Sequence, residues 1–403
     1  MEEQAMGRLV VVSNRLPFSA IEQNGGLRFT ETTGGLVTGM RAALEALKSR
    51  STHDSEYLWV GWPGGTIPPH LTEELIAGAR SRFNSHPVFL SEREMDQFYF
   101  GFCNKTIWPL FHYFPTYAVY REELWQQYRH VNEVFCENLV QVLQPDDIVW
   151  VHDYHLLLLP QMLRARIPDA RIGFFLHIPF PSFEVFRLLP GKWRREILEG
   201  LLGADLLGFH TYEYTQYFLQ CVLRILRHEH NMGQIIAADR IVKVGTFPMG
   251  IDFDKFSNAL FDPEVKAERD ALLSSLTGSR VILSVDRLDY TKGILQRLQG
   301  FEILLETQAQ YRGKVALIMI VVPSRIGVEE YDQMKRQIEE LVGKINGKFG
   351  RVGWTPVIYQ YRYVPFHPLV ALYSASDIAL VTPLRDGMNL VAKEYIACPR
   401  VKR

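Results

Sequence analysis

The chain of 403 residues has no excess of either charge: 44 Lys and Arg stand against 45 Asp and Glu, for a net charge of −1. That balance gives no support for a protein that coats nucleic acid, which would usually show a basic excess. Cysteine is sparse. Its four copies, Cys103, Cys136, Cys221 and Cys398, are scattered and form no CxxC spacing for zinc or a redox pair. Such usage fits a reducing, cytoplasmic setting. No apolar run approaches the length of a membrane span, and LLLLP at 156–160 is far too short. The opening MEEQAMGRLVVVSNR is acidic and reaches its first apolar run quickly, unlike a signal peptide. Neither a G-x-G-x-x-G fingerprint nor a Walker A sequence is present, which counts against a nicotinamide dehydrogenase or an ATPase. There is no internal repeat and no long low-complexity segment.

What is present is a rhythm. Buried strands are expected at Leu9–Ser13, Tyr57–Val60, Ile148–His152, Arg171–Leu176, Leu206–Phe209, Ile241–Phe247, Val281–Val285, Val315–Val321, Val357–Tyr361 and Ile378–Val381. Helical spacing lies between many of them, as in Gly35–Leu47, Glu122–Leu143, Thr211–Arg227 and Glu329–Lys344. Strand–helix alternation of this kind predicts α/β architecture, with parallel sheets covered on both faces. The length suggests two domains. The rhythm breaks near Pro248-Met249-Gly250-Ile251-Asp252, so the expected domains are residues 1–250 and 251–403, both doubly wound.

Ligands of open α/β sheets sit beyond the carboxyl ends of the strands. Six strand ends carry polar clusters: Ser13-Asn14-Arg15, His152-Asp153-Tyr154-His155, His177, Arg287 with Lys292, Pro323-Ser324-Arg325, and Arg385 to Asn389. Together they suggest one cleft rich in basic groups. In LSVDRLDYTKG, residues 283–293, a lysine and a glycine stand where an amphipathic helix begins. A cation there is mildly unfavourable alone. A bound phosphate or diphosphate, held by Arg287, Lys292 and free backbone N–H groups, would reverse that sign. The alternative is that Arg287 and Lys292 pair with Asp286 and Asp289 on a solvated loop.

In PLRDGMNLVAKE, residues 383–394, Gly387 permits close backbone approach to a ligand. Asp386 and Glu394 are eight residues apart, just over two helical turns, and so are expected on roughly one side, suited to sugar hydroxyls and a ribose. A simple N-cap role for Asp386 is the alternative. A metal reading of HDYH at 152–155 is discounted, because His152 and Asp153 would point to opposite faces and no third ligand stands nearby. Asp153 reads better as a sugar-hydroxyl acceptor. His177 ends an apolar strand and is either a core histidine or part of the cleft. Gly34 and Gly35 follow Arg15 in a glycine-rich loop entering a helix. Tyr99 and Trp108 lie in the aromatic segment DQFYFGFCNKTIWPLFHY, mostly core, from which one or two rings could stack on a sugar face.

Assembled, these stretches resemble the trehalose-6-phosphate synthases, retaining glycosyltransferases of the two-Rossmann-domain GT-B architecture. The resemblance runs from about Arg8 to about Ala397, through VVSNRLP, GGLVTG, WVGWPG, WPLFHYFP, WVHDYHLLLLPQMLR, IGFFLHIPFPSFEVFRLLP, LLGADLLGFHT, VDRLDYTKGI, INGKFGRVGWTP and LVTPLRDGMNLVAKEY. It implies transfer of glucose from UDP-glucose to glucose 6-phosphate, giving trehalose 6-phosphate and UDP. By the same resemblance, residues 1–250 bind the acceptor and 251–403 the nucleotide sugar. Arg287 and Lys292 correspond to the pair on the donor diphosphate and Glu394 to the carboxylate on the uridine ribose. Asp386 with Gly387, Met388, Asn389 and Leu390 corresponds to the loop on the donor glucose and phosphate, His177 to a contact near the glucose 6-hydroxyl, and Gly35 to a glycine-loop contact. Arg15, Tyr99, Trp108 and Arg325 resemble the acceptor pocket, the two arginines on its phosphate, with Trp59 and Asp153 lining the acceptor side.

The family implies a front-face mechanism in which the leaving diphosphate takes the acceptor proton, with Arg287, Lys292, His177 and Asp386 as the catalytic set. No cofactor or metal is expected, because two cations and backbone dipoles take that part. No nucleic-acid or membrane partner is expected, while a homo-oligomer or a trehalose-phosphatase partner stays open. The chain ends with PRVKR where the family normally continues, so the second domain is expected to be incomplete at its C-terminus. Two alternatives stay open: a glucosylglycerol-phosphate synthase-like transferase, and a truncated, non-catalytic regulatory or sugar-phosphate-sensing homologue.

Overall fold

The computed structural model describes residues 7–23, 25–31, 37, 39, 40, 44, 57–237, 239–276, 278–325 and 328–399. The chain divides into two compact units, Met1–Met249 and Gly250–Arg403.

The first unit is built on a nine-stranded sheet. Its strands are β1 (Leu9–Arg15), β4 (Tyr57–Trp62), β5 (Ser85–Pro87), β6 (Ile148–His152), β7 (Arg171–Leu176), β8 (Leu206–Phe209), β9 (His230–Asn231), β10 (Gln234–Ala237) and β11 (Arg240–Thr246). They run in the order β5-β4-β1-β6-β7-β8-β11-β10-β9. The strands from β5 to β11 are parallel, and β10 and β9 close one edge antiparallel. Val10, Val11 and Val12 of β1 are fully buried, as a central strand covered on both faces requires. A separate hairpin, β2 (Phe18–Gln23) and β3 (Gly26–Glu31), follows β1. The helices include α1 (Thr72–Phe83), α2 (Glu122–Val142), α3 (Leu159–Arg166), α4 (Gly191–Leu201) and α5 (Tyr212–Cys221). Of the helix expected over 35–47, residues 37, 39, 40 and 44 are described and helical. Val37, Met40 and Leu44 are buried at helical spacing against Val11 and Trp59.

The second unit has four parallel strands, β12 (Arg280–Arg287), β13 (Val315–Val322), β14 (Val357–Tyr361) and β15 (Ile378–Ala379), in the order β14-β13-β12-β15. Its helices include α6 (Pro263–Ser275), α7 (Ile294–Thr307), α8 (Glu329–Phe349), α9 (Phe366–Ala375) and α10 (Leu390–Ala397). The period-2 geometry of β13 divides the core cleanly. Leu317, Met319 and Val321 pack on α7 and α8, whereas Ile318 and Ile320 pack with residues of α9 and α10.

Two expected elements are corrected. The strand at Ile378–Val381 shrinks to Ile378–Ala379, and Ile378 is 54% exposed. Among the described residues β15 is a sheet edge, paired with β12 alone, so burial on both faces does not apply to it. The helix at Thr211–Arg227 is α-helical only to Cys221, continues as a π-turn over Val222–Leu226, and stops at Arg227, whose φ of 65° is left-handed.

Candidate active site

In the first unit, polar side chains collect at the carboxyl ends of neighbouring strands. Arg15 ends β1. Its guanidinium lies 5.4 Å from the centre of the Trp62 ring at the end of β4, and its Nη2 donates to Ser19 Oγ at 3.0 Å. Gly64 makes room for it. Its φ is +90°, and a Cβ there would stand 2.8 Å from Arg15 Nη2. The exposed guanidinium is thus oriented by an aromatic face and has no ion-pair partner among the described residues.

Asp153, just past β6, has a left-handed φ of 75°. Its N–H donates to Phe175 O at 2.8 Å, and its Oδ1 accepts from His177 N at 3.2 Å. The turn is anchored from α2, where Tyr128 Oη donates to Tyr154 O at 2.8 Å and Asn132 Nδ2 donates to His155 O at 3.1 Å. Three histidines end consecutive strands: His152, His177 and His210. His152 Nδ1 and His177 Nε2 share a hydrogen bond of 3.0 Å, and the His177 and His210 rings are 5.4 Å apart. Burial pushes His152 down to about 3. Burial, with His152 and His210 alongside, holds His177 well below the usual range. His177 is therefore a neutral hydrogen-bonding group at ordinary pH.

Tyr99 and Trp108 come from a π-helical stretch, Asp96–Ile107, and the short helix after it. The Tyr99 ring stacks on His155 at 5.7 Å and 10°, while Trp108 is 6% exposed and packs on His112 at 4.1 Å. Gly35 lies outside the described residues. The acceptor-side assignment of Trp59 is overturned: it is 1% exposed, packs with Val11, Phe18 and Leu75, and donates Nε1 to Ser13 Oγ at 2.8 Å. Trp62, three residues on, is the tryptophan at the strand end. It was missed, although the rule that ligands meet carboxyl ends could have found it.

In the second unit, β12 delivers a buried electrostatic cluster. The solvated-loop alternative fails. Asp286 pairs with Arg297 at 2.6 Å, Asp289 with Arg325 at 2.9 Å, and Lys292 with Asp386 at 2.6 Å. Asp286, Asp289, Lys292 and Arg297 are all buried. Burial raises the Asp286 carboxyl, and Arg297 and Lys292 only partly offset this. Asp289 shapes the turn, with its Oδ1 accepting from Thr291 N at 3.0 Å and Thr291 Oγ1 at 2.8 Å. Gly293, at φ +64°, caps α7, and a Cβ there would meet Thr382 O at 2.6 Å. Lys292 thus faces Asp386 because two turns interlock, with Leu384 N donating to Thr291 O at 2.7 Å. Arg287 is exposed and forms no ion pair among the described residues. Arg325, at φ 47°, is held by Asp289 and by Tyr331 Oη.

Asp386 is not the cap of α10. Asn389 is, its side chain accepting from Ala392 N at 3.0 Å. Asp386 instead binds Lys292 and, through Oδ1, Gly387 N at 3.0 Å. Because α10 begins only at Leu390, the two-turn spacing drawn between Asp386 and Glu394 does not apply. Met388 and Leu390 flank Asn389, half-buried. Glu394 accepts from Tyr373 Oη at 2.7 Å, and burial raises its carboxyl against the opposing effects of Tyr373 and Lys255.

Two Rossmann-like units, each carrying polar groups at the carboxyl ends of its parallel strands, define the α/β GT-B class of glycosyltransferases. The chain belongs to Glycosyltransferase family 20, whose profile matches residues 7–403. It is 48% identical over 394 residues to a bifunctional trehalose-6-phosphate synthase/phosphatase of Thermoproteus tenax, covering 98% of this chain and 53% of that protein. The chain therefore spans about half the length of that curated relative. A solved E. coli trehalose-6-phosphate structure, bound with UDP-2-fluoro glucose, superposes with a TM-score of 0.84 at 36% identity, covering 98% of this chain and 82% of that one. A UDP-forming alpha,alpha-trehalose-phosphate synthase from Burkholderia xenovorans in complex with glucose-6-phosphate gives 0.85 at 34% identity, covering 98% and 83%.

Proposed function

We propose that this chain transfers glucose from UDP-glucose to glucose 6-phosphate, with retention, forming trehalose 6-phosphate and UDP. The observation that carries the reading is the interlocked pair of turns holding Lys292 against Asp386, with Arg287, which has no ion-pair partner among the described residues, exposed at the end of β12. A diphosphate suits the two cations, and sugar hydroxyls suit Asp386 and the backbone of Gly387 to Leu390. Glu394 takes the ribose, and neutral His177 a glucose hydroxyl. Arg15, backed by Trp62, takes the acceptor phosphate, with Tyr99, Trp108, Asp153 and Arg325 completing the acceptor set. The known ligands of the two solved relatives support both halves of this reading.

The chemistry is positioning and charge stabilisation. The acceptor hydroxyl oxygen bonds to the anomeric carbon as the bond from that carbon to the β-phosphate oxygen breaks. The hydroxyl proton passes to the departing phosphate. Arg287 and Lys292 stabilise the negative charge that grows there, in the part a metal ion would otherwise play, so neither metal nor cofactor enters the proposal. No described helix is long and apolar enough to cross a membrane. A cytoplasmic setting belongs to the same reading, supported by four buried cysteines that form no disulfide. A phosphatase acting next on the product is supported by the bifunctional relative.

UDP release, measured with glucose 6-phosphate, glycerol 3-phosphate and glucose as acceptors, tests the proposal. Release dependent on glucose 6-phosphate is expected. Preference for glycerol 3-phosphate would reassign the acceptor, and no release with any acceptor would leave a binding protein.

A further inference from the structure

Arg297 poses a problem that the residues discussed so far do not solve. It lies in the first turn of α7, where a cation opposes the helix dipole, and its side chain is 1% exposed. Burying a charge there is costly unless every donor is used. Every arm of its guanidinium is used. Nε donates to Thr382 Oγ1 at 3.0 Å, and Nη1 to Asp286 Oδ2 at 2.6 Å and to Ser284 Oγ. Nη2 donates to the carbonyl oxygen of Lys292 at 3.0 Å. One planar group thus ties the end of β12, the turn that carries Lys292, and the segment that leads to Asp386.

We infer that Arg297 is a positioning residue for the donor diphosphate: it fixes the Lys292 turn so that the ammonium meets the diphosphate, without touching the ligand itself. The inference rests on the donor assignment proposed above. Two features give it content beyond fold support. First, Arg297 holds the backbone of Lys292, so its loss moves the ammonium directly. Second, Lys292 and Arg297 are paired one to one with Asp386 and Asp286, so losing the Arg297 charge leaves the buried Asp286 carboxylate without its cation close to Lys292. Lysine keeps the charge but cannot reproduce the fork.

The test compares the parent with Arg297→Lys and with the charge-neutral pair Asp286→Asn/Arg297→Met. Calorimetric UDP binding, thermal melting, and the kinetic constants for both substrates are measured. In Arg297→Lys we expect UDP to bind at least about tenfold more weakly and turnover to fall about 10²-fold, the scale of a reacting group misplaced by an ångström. The KM for glucose 6-phosphate should stay unchanged. The double variant removes both buried charges. It too should lose UDP affinity, because the Lys292 carbonyl still lacks its donor, and it carries the test if Arg297→Lys does not fold. Lower melting temperatures with parental UDP affinity in the folded variants would overturn the inference and make Arg297 a purely structural residue. A parent chain that binds no UDP would overturn the donor reading and this inference with it.

Discussion

Acid should unfold the first unit earlier than its carboxylates alone would require, and His152 should be a main reason. The ring is 1% exposed, lies 4.4 Å from the Trp150 ring, and is hydrogen-bonded to His177. Burial lowers it from an ordinary 6.5 to about 3. The unfolded chain therefore takes up a proton below pH 6.5 that the fold refuses. The stability from the neutral ring is fully present above pH 6.5 and is lost as pH falls towards 3. By linkage the slope approaches 1.4 kcal/mol per pH unit, so this one residue removes about 2 kcal/mol between pH 8 and pH 5.

His152→Asn removes the titration and keeps a polar atom near Nδ1. Six of the seven tryptophans lie in the first unit, so urea unfolding followed by tryptophan fluorescence reports mainly on it. The loss of stability from pH 8 to pH 5 should be smaller in the variant by about 2 kcal/mol. His177 acts in the same direction, because His152 is one of the neighbours that lower it. An acid loss equal in variant and parent would refute the reasoning.

Lys292→Ala should lower turnover by about 10²–10³-fold at saturating UDP-glucose, the usual effect of removing a donor from a developing anion; near-parental steady-state turnover would count against the diphosphate assignment. Trp59→Ala should cost about 3–5 kcal/mol in chemical denaturation with little change in substrate KM, as for a core aromatic. Trp62→Ala should do the reverse, raising the KM for glucose 6-phosphate through a disordered Arg15, and equal effects of the two would undo the reassignment. Asp289→Asn should destabilise the second unit by about 3–5 kcal/mol, because the buried Arg325 side chain would lose its neutralising carboxylate; hydrogen exchange of the β12 and β13 amides should rise accordingly, and parental protection would refute it.

The sheet strands were legible because their signal is local. Ile148–His152, Arg171–Leu176, Leu206–Phe209 and Val357–Tyr361 have the same bounds in sequence and structure, and β13 announces itself as a continuous apolar run. The short strands were not legible. β5 has three residues and β9 two, too few to show a period; β5 exists through pairing with β4, about 25 residues earlier, and β9 through a tight antiparallel pairing with β10. The strand-end rule gathered most of the candidate site, since it needs only the order of elements. It failed at β4, where extending the strand by two residues moves the relevant tryptophan from Trp59 to Trp62.

The partners of the charged groups were beyond reach for a related reason. Within VDRLDYTK the nearest opposite charges suggest themselves, yet three of its four charged groups pair outside their own turn: Asp286 with Arg297, Asp289 with Arg325, and Lys292 with Asp386. Burial decides this. On a solvated loop, neighbouring ions are held apart by water and gain little. In a buried turn, each charge needs a partner whose geometry the whole sheet supplies. The same logic bears on the proposed reaction. In the structure, Asp386 neutralises Lys292. A diphosphate arriving at Lys292 would compete for that ammonium and release Asp386 oxygens to accept hydrogen bonds from a sugar. Donor phosphate and donor glucose would then be recognised by one exchange of partners, with Arg297 holding the exchanging turn in place.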